Sequence, residues 1–394
     1  MKKAIIVLAV ATAALAVGAT QLLATTKAAD FVVGDGTRPC NHTDFDNPNG
    51  INQAITAASS GETIKVCNGS YNAVNVTKSV TLNGTSLLTT SAQCVAQTTN
   101  PANDLTKYSV IDGGVTIAPG VDNVKISQFT IKNGSGPQGA GVSMNGSSDG
   151  VIVTKDVIQS NVMGVYLNGG TSLKPNKVNG NCIRTNNDDG AANGNGVYSD
   201  QGLHSAEITG NTFYNNNHAG DGGGINLPAG TIDSVLIGTN IANGNANFVS
   251  VTGSTKLLIT GNTSTHSFGG AVFLDGNNRK TQITGNTFSG GDDDGIGLGG
   301  APANDQVLIY GNTISGNASY GIDTNANGLT DSLISKNTIK SNVAGGIALL
   351  NGGNTGNFVT NNKVTSNGLS NADNCKEEPG ADNTFYSNNV ECAP

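Results

Sequence analysis

The chain has 394 residues, of which 55 are glycine and none is tryptophan. Its formal net charge is -8 and only 12% of its residues are charged. This balance argues against a nucleic-acid-binding surface, which needs clustered cations, and against a disordered chain, which normally carries more charge or proline.

The first residues are typical of an export signal. Lys2 and Lys3 precede an apolar stretch from Ala4 to Ala19, and small residues follow it. This pattern predicts a secretory signal peptide over residues 1–29. The alternative is an uncleaved anchor, but the apolar run is short for a bilayer span. We therefore predict a secreted or cell-surface protein, with the periplasm as the other destination.

All six cysteines lie beyond this segment, and an even number in an exported chain indicates disulfides. They are Cys40, Cys67, Cys94, Cys182, Cys375 and Cys392. Proximity in the sequence favours pairing of Cys40 with Cys67 and of Cys375 with Cys392, which leaves Cys94 and Cys182. The sequence alone does not decide among the other pairings.

A repeat organises the rest of the chain. Its anchors, mostly asparagines in the phrase apolar-x-x-Asn-x-apolar, are Phe129, Asp156, Asn181, Asn211, Asn240, Asn262, Asn286, Asn312, Asn337, Asn362 and Asn388. The ten steps cover 388 − 129 = 259 residues, and a regular spacing in this range indicates stacked supersecondary units. A second asparagine often follows five residues later, at Asn161, Asn186, Asn216, Asn245, Asn317, Asn342 and Asn367. Two asparagines in register predict turns whose side-chain amides stack from coil to coil and satisfy the turn backbone.

Each repeat also contains a second short apolar run, usually led by glycine, such as Gly-Val165-Tyr-Leu, Gly-Ile296-Gly-Leu or Gly-Ile322-Asp-Thr. These runs alternate with period two and are separated by Gly/Asn turns, which predicts strands of three to five residues. The repeat leaves no room for a helix.

These repeats resemble the right-handed parallel β-helix proteins of the pectate-lyase-like superfamily, over roughly residues 50 to 390. Residues 50–71 resemble that family's first segment, in which a short amphipathic helix caps the coil stack. The resemblance implies an all-β fold, a single-stranded right-handed parallel β-helix of about ten or more coils with a short N-terminal capping helix. Residues 30–104 would form the cap and first coils, and residues 105–394 the β-helix with a disulfide-stapled C-terminal end. The scaffold itself does not determine activity.

Three turns are longer than the others and interrupt the regular repeat: 133–141, 185–196 and 215–223. Two of them carry Asp188, Asp189, His218 and Asp221, which we predict to be catalytic. Paired carboxylates serve as acid and base or nucleophile in glycoside hydrolysis, and a histidine can share the proton transfer. The competing interpretation is that these aspartates only favour turn geometry.

Other residues are predicted to bind substrate, because aromatic rings beside carboxylates often contact sugars: Tyr166, Arg184, Tyr198, Asp293 and Tyr320. Asp292, Asp293 and Asp294 form a candidate calcium site, since hard cations prefer clustered oxygens. No cofactor is otherwise expected.

The sequence thus predicts a secreted β-helix, expected to be a monomer, that binds a polysaccharide or cell-surface glycan and hydrolyses it beside the long turns. Because the chain is acidic and has few arginines, we consider a hydrolase better supported than a uronate lyase or epimerase. A non-catalytic adhesin or structural glycan-binding protein is the alternative, and the sequence leaves the question of enzymatic activity open.

Overall fold

The structure of the chain is a computed structural model. It describes residues 31–38, 40–85, 93–94, 104–144, 146–219, 222–324, 328–350, 353–370, 373–377 and 382–388. The predicted signal peptide lies outside the described residues.

Three parallel sheets wind around one axis, and successive coils add one strand to each sheet in turn. Sheet A contains Phe45–Asp46, Phe31–Gly34, Thr63–Val66, Thr81–Asn83, Lys125–Ser127, Ile152–Thr154, Lys177–Asn179, Glu207–Thr209, Leu236–Gly238, Leu258–Thr260, Gln282–Thr284, Leu308–Tyr310, Leu333–Ser335, Phe358–Thr360 and Thr384–Tyr386. Sheet B contains Gly69–Tyr71, Ser109–Asp112, Thr130–Lys132, Val157–Gln159, Cys182–Arg184, Thr212–Tyr214, Ile241–Asn243, Thr263–Thr265, Thr287–Ser289, Thr313–Ser315, Thr338–Lys340 and Lys363–Thr365. Sheet C contains Val74–Val76, Val115–Ile117, Ala140–Met144, Met163–Tyr166, Asn195–Tyr198, Gly223–Leu227, Asn247–Val251, Val272–Asp275, Ile296–Gly299, Tyr320–Thr324, Gly345–Leu349 and Cys375–Glu377.

Short strands between sheets C and A form two further ladders: Leu203–His204 with Ile232–Asp233 and Ser254–Thr255, and Asn304–Asp305 with Leu329–Thr330. The predicted fold, a right-handed parallel β-helix, is therefore confirmed. Helix α1, Gly50–Ala57, buries Ile51, Ala54 and Ile55 against the first coils, as predicted for a cap. A 3-10 turn, Pro137–Gly139, lies in the first long turn.

The three-residue strands place one side chain inward and two outward because side chains alternate along a strand. In sheet A the inward residue of successive coils is isoleucine at 208, 237, 259, 283, 309 and 334, and each is fully buried. Burying one such side chain stabilises the fold by about 1.5–3 kcal/mol. The repeated core column, more than any single contact, holds the coils together.

The corner between sheets A and B explains the Ile-Thr-Gly-Asn phrase. The residue before the asparagine has a positive φ, 64° at Gly261 and 56° at Lys336. Glycine takes this conformation without a Cβ penalty, and it occupies the corner in five of the eleven coils, at 180, 210, 261, 285 and 311.

The asparagines form two hydrogen-bonded ladders, as predicted. In the first, Asn312 Oδ1 accepts hydrogen bonds from the backbone N–H and the side-chain amide of Asn286, both at 2.9 Å. Asn312 donates in the same way to Asn337, and also to the Ile283 carbonyl at 2.8 Å. The second ladder, at the corner between sheets B and C, repeats the pattern from Asn186 to Asn216 and from Asn317 to Asn342. Each ladder amide thus pairs backbone groups that the corner would otherwise leave buried and unpaired.

The disulfides Cys40–Cys67 and Cys94–Cys182 are formed, which confirms the pairing predicted for these four cysteines. Cys375 is also disulfide-bonded, and its predicted partner Cys392 lies outside the described residues. Among the residues that the structure describes, no helix is long and apolar enough to cross a membrane.

Asp156 occupies the ladder position one coil before Asn181. Its backbone N–H donates to Asn181 Oδ1 at 2.9 Å, and its own Oδ1 accepts from the backbone N–H of Phe129 at 2.8 Å. Its side chain is fully buried, and this burial raises the pKa of Asp156 to about 8, against smaller opposing effects of backbone N–H groups and of the Lys125 charge. A neutral carboxyl therefore replaces the amide at this step of the ladder.

Replacing Asn312 or Asn337 with alanine should lower the free energy of unfolding by about 1–3 kcal/mol, because buried turn groups lose their partners. Urea denaturation of the two variants measures this effect. Asn75→Ala, at an exposed position of sheet C, is the matched control. Equal unfolding midpoints for the ladder variants and the control would contradict the ladder's role.

Asp156→Asn should stabilise the protein above neutral pH. Because the folded-state pKa is raised to about 8 from 3.8, the folded protein holds a proton that the unfolded chain releases, so wild-type stability falls as pH rises between these values. Asparagine removes this loss. Thermal unfolding from pH 4 to 9 should show the variant gaining over wild type as pH rises; a pH-independent difference would contradict the assignment.

Candidate functional site

The long turns fold over the outer face of sheet C in the early coils. Ala192 from the second long turn packs with Ala140, Met163, Tyr166 and Tyr198 in a small cluster outside the β-helix interior. Tyr166 is only 1% exposed, and its hydroxyl donates to Asp200 Oδ1 at 2.7 Å. Burial, with the Asp200 hydrogen bond and charge, raises the pKa of Tyr166 to about 12. The turns therefore cover the ring, and its predicted contact with a glycan stays a prediction.

Tyr198, by contrast, is only half-buried, and its ring centroid lies 6.2 Å from that of Tyr166. Burial, followed by the charge and hydrogen bond of Asp200, raises the pKa of the Tyr198 phenol. Its exposed part borders the region that the long turns cover, so its predicted substrate contact stays a prediction.

Arg184 also has a structural position. It is 5% exposed, and its guanidinium donates twice to Gln159 Oε1, at 2.7 and 2.9 Å, and once to the Cys94 carbonyl at 3.1 Å. Together with the Cys94–Cys182 disulfide, the hydrogen bond from Arg184 holds Cys94 against sheet B. The prediction that Arg184 binds substrate stays a prediction.

The second and third long turns are joined by a histidine. His218 Nε2 lies 2.8 Å from Asp189 Oδ1, and Nδ1 lies 3.1 Å from the Asn193 amide nitrogen. The structure therefore brings two of the predicted catalytic residues together. Asp188 is exposed in the same turn as Asp189, while Asp221 lies outside the described residues.

This arrangement is better suited to joining turns than to proton transfer. Both ring nitrogens of His218 have partners, so neither is free to take a proton from a substrate. The Asp189 side chain is 98% exposed, and a solvated carboxylate at a turn tip is poorly fixed in position. The catalytic role of Asp188, Asp189, Asp221 and His218 stays a prediction.

In the later coils, where the turns are short, two columns of outward residues cross sheet C. The strand register aligns Phe273, Gly297, Asp323, Ala348 and Lys376 in one column. In the other column Tyr320 pairs with Gly345, and Asp294 lies beside Tyr320, whose backbone N–H it accepts. We call the set Phe273, Asp294, Gly297, Tyr320 and Asp323 the carboxylate face.

Asp294 is held firmly in this face. It is 8% exposed, and its Oδ1 accepts the backbone N–H of Tyr320 at 2.9 Å. Burial raises the pKa of Asp294, and the charge of Asp293 adds to this, while hydrogen bonds from Ser319 and Tyr320 oppose it. The carboxylate therefore has a fixed geometry.

Asp323 lies one coil further along and is half-buried. Burial, and then the negative charges of Asp294 and Asp293, raise the pKa of Asp323 to about 6, although a backbone hydrogen bond from Thr324 opposes the rise. The negative charge of Asp294 therefore favours the protonated form of Asp323. Interacting carboxyls of this kind are used by proteins for acid and base roles.

Aromatic rings flank the two acids. Tyr320 is half-buried, with Lys376 Nζ 5.7 Å from its ring centroid. Gly297 leaves the space between Phe273 and Asp294 unfilled: a Cβ there would lie 3.0 Å from the Phe273 ring and 3.6 Å from Asp294 Oδ2. The face is therefore a shallow acidic surface bordered by rings.

The proposed calcium ligands do not form a cage. Asp292 and Asp293 are exposed whereas Asp294 is buried. Within the described parts of the chain, no three His, Cys, Asp or Glu side chains converge as metal ligands. The calcium hypothesis thus gains no support from the geometry.

Sequence reasoning named Asp293, Asp294 and Tyr320 but missed Asp323, Phe273 and Lys376. A signal for two of them was present. The residue after the valine or isoleucine in each second apolar run points outward, and this position is phenylalanine at 273 and aspartate at 323. Coil-to-coil register was needed to place that aspartate beside Asp294.

Comparisons with known proteins agree with the fold. A family model described as a right handed beta helix region matches residues 223–390, and no curated protein sequence matches the chain.

Three solved structures are similar over most of the chain. One is the A-module of the mannuronan C-5 epimerase AlgE6 from Azotobacter vinelandii (14% identity, TM-score 0.55, 88% of this chain and 94% of that one). Another is the DFA-IIIase from Arthrobacter chlorophenolicus A6 without its lid (14% identity, TM-score 0.57, 90% and 98%). The third is the catalytic domain of a GH87 α-1,3-glucanase in complex with nigerose (15% identity, TM-score 0.61, 86% and 67%). At these identities the likeness concerns the fold.

The coil-by-coil architecture and the asparagine ladders identify the fold as a right-handed parallel β-helix. The family match covers its later coils, residues 223–390.

Proposed function

We propose that this protein binds a polysaccharide along the later coils of sheet C and hydrolyses it at the carboxylate face. The observation that carries the proposal is the pair Asp294 and Asp323, two carboxyls in neighbouring coils whose charges are coupled and which lie between Phe273 and Tyr320. The names of the similar structures, which include a glucanase and a mannuronan epimerase, support a carbohydrate substrate.

Asp323 is suited to the role of general acid. With its pKa raised to about 6, it holds a proton in mildly acidic solution and can give it to the glycosidic oxygen as the carbon–oxygen bond breaks. Asp294, whose carboxylate accepts hydrogen bonds from Tyr320 and Ser319, is suited to act as the base that activates water or as the nucleophile. The net reaction adds water and produces a new reducing end.

The charges favour an uncharged glycan. Asp292, Asp293, Asp294 and Asp323 give the face a negative potential. Lys376, the nearby cation, already pairs with Asp373 at 2.8 Å. A uronate chain would be repelled here, and a hydrolase acting on a neutral polysaccharide fits better than a uronate lyase or epimerase.

Secretion is part of the proposal. Two disulfides within the described residues indicate an oxidising environment, and the predicted signal peptide is consistent with export. A polysaccharide outside the cell is the natural substrate for such a protein.

Asp323→Asn and Asp294→Asn should each lower hydrolysis by about 10²–10⁴-fold, the usual contribution of a general acid or base. Reducing-end release from a panel of neutral polysaccharides measures this. Asp188→Asn and Asp189→Asn are the matched controls and should keep wild-type activity. Loss of activity in the controls alone would place catalysis in the long turns, and glycan binding without turnover in wild type would favour the non-catalytic adhesin.

The electrostatic coupling of Asp294 and Asp323 can be tested without an activity assay. Because the Asp294 charge contributes to the raised pKa of Asp323, Asp294→Asn should lower the Asp323 pKa towards its ordinary value. Carboxyl carbon NMR titration measures the Asp323 pKa, and Asp189→Asn should leave it unchanged. An Asp323 pKa that is the same in wild type and Asp294→Asn would rule out the coupled pair.

The pH profile of the wild-type enzyme gives a second test. Its kcat/KM should fall as pH rises through about 6, since Asp323 then loses its proton.

A further inference from the structure

The corner that carries the first asparagine ladder also presents a regular set of hydroxyl groups to solvent. In four neighbouring coils, outward positions of sheets A and B are occupied by Thr260, Thr263, Thr265, Thr284, Thr287, Ser289, Thr313, Ser315 and Thr338. We call these nine residues the hydroxyl face. None of them belongs to the carboxylate face of sheet C.

The strand register aligns the hydroxyl face in columns. Thr263, Thr287, Thr313 and Thr338 pair in succession along sheet B. Thr265, Ser289 and Ser315 form the parallel column two residues further along each strand. Strand geometry separates neighbouring coils by about 4.8 Å and residues two apart on one strand by about 6.6 Å. The hydroxyls therefore form a two-dimensional grid.

The grid is stiff. Threonine side chains are restricted at χ1 because they are β-branched, and neighbouring groups fix some hydroxyls further. Thr284 Oγ1 donates to Thr260 Oγ1 at 3.1 Å, and the Asn243 amide donates to Thr265 Oγ1 at 2.7 Å. Binding to a matching surface would thus lose little conformational entropy.

The grid is uncharged, and four of its nine hydroxyls are unpaired. The hydroxyls of Thr287, Ser289, Thr313 and Ser315 have no hydrogen-bond partner among the described residues. All nine positions are neutral in a chain whose formal net charge is -8, and the neighbouring lysines lie at its end, at Lys336, Lys340 and Lys363. A neutral face of donors and acceptors complements a partner that is neutral and hydroxylated.

We propose that the hydroxyl face binds the surface of an insoluble, uncharged polysaccharide whose chains are packed in an ordered array. A hydroxyl both donates and accepts, so it can pair with sugar hydroxyls in either sense. One such contact is weak, but a rigid grid that makes several at once on an ordered surface gains avidity that a single soluble chain does not provide. The face would hold the protein on its polymer while sheet C remains accessible.

The test is a depletion assay with microcrystalline cellulose, crystalline chitin and insoluble α-1,3-glucan as probes. Wild type should bind at least one of them. Thr287→Val/Thr313→Val, which removes hydroxyls while keeping side-chain shape and strand propensity, and Thr287→Lys/Thr313→Lys should each bind at least tenfold more weakly. The control is Thr171→Lys/Thr231→Lys, at exposed turn positions elsewhere on the chain, and it should bind as wild type does.

The outcomes separate this inference from the proposed function. Hydrolysis of soluble oligosaccharides should be unchanged in the threonine variants, and Asp323→Asn should still bind the insoluble polymer. Unchanged melting temperatures establish that the variants fold. If wild type binds none of the solids, or if the valine variant binds as well as wild type, the inference is overturned. Ice-crystal growth is a further measurement. If wild type binds no polymer but alters ice growth, and the valine variant loses this effect, then the grid recognises ordered water and the polysaccharide assignment is overturned.

Discussion

The hydrogen bonds between successive coils are the constraint on which the rest of this structure depends. Each ladder asparagine uses its oxygen to accept two N–H groups from the preceding coil and its nitrogen to donate to the next amide and to a carbonyl. Such a corner tolerates no slip of one residue, because a slip would unpair every amide and turn the isoleucine column outward. The register is therefore fixed from coil to coil, and extra residues can be added only in the turns.

That constraint divides the molecule into two halves with different surfaces. In the early coils, the long turns cover sheet C around Tyr166, and Cys94 covers sheet B at Arg184. In the later coils the turns are short. The carboxylate face lies there, with Asp323 half-buried and Asp294 8% exposed.

The sequence was sufficient for the regular part of this architecture. The period predicted the coils, the paired asparagines predicted both ladders, and proximity predicted the Cys40–Cys67 disulfide. The sequence was insufficient where the surroundings of a residue come from a different coil or a distant segment. Tyr166 and Arg184 look exposed in their own repeats, and only the packing of distant segments buries them. Asp323 looks like an ordinary strand residue, because its partner Asp294 lies 29 positions earlier.

The electrostatic cost of Asp294 and Asp323 to the folded state argues for a functional role of these two carboxyls. Like charges in neighbouring strands are destabilising, and burial raises the pKa of both carboxyls, which is a cost to the folded state at neutral pH. No compensating cation is evident in the described residues, since Lys376 is paired with Asp373. A serine or asparagine at either position would fit the strand without this cost. Carboxyls that keep raised pKa values where asparagine could accept the same hydrogen bond are expected in functional sites. This distinguishes the carboxylate face from the turn aspartates, whose presence turn geometry alone explains.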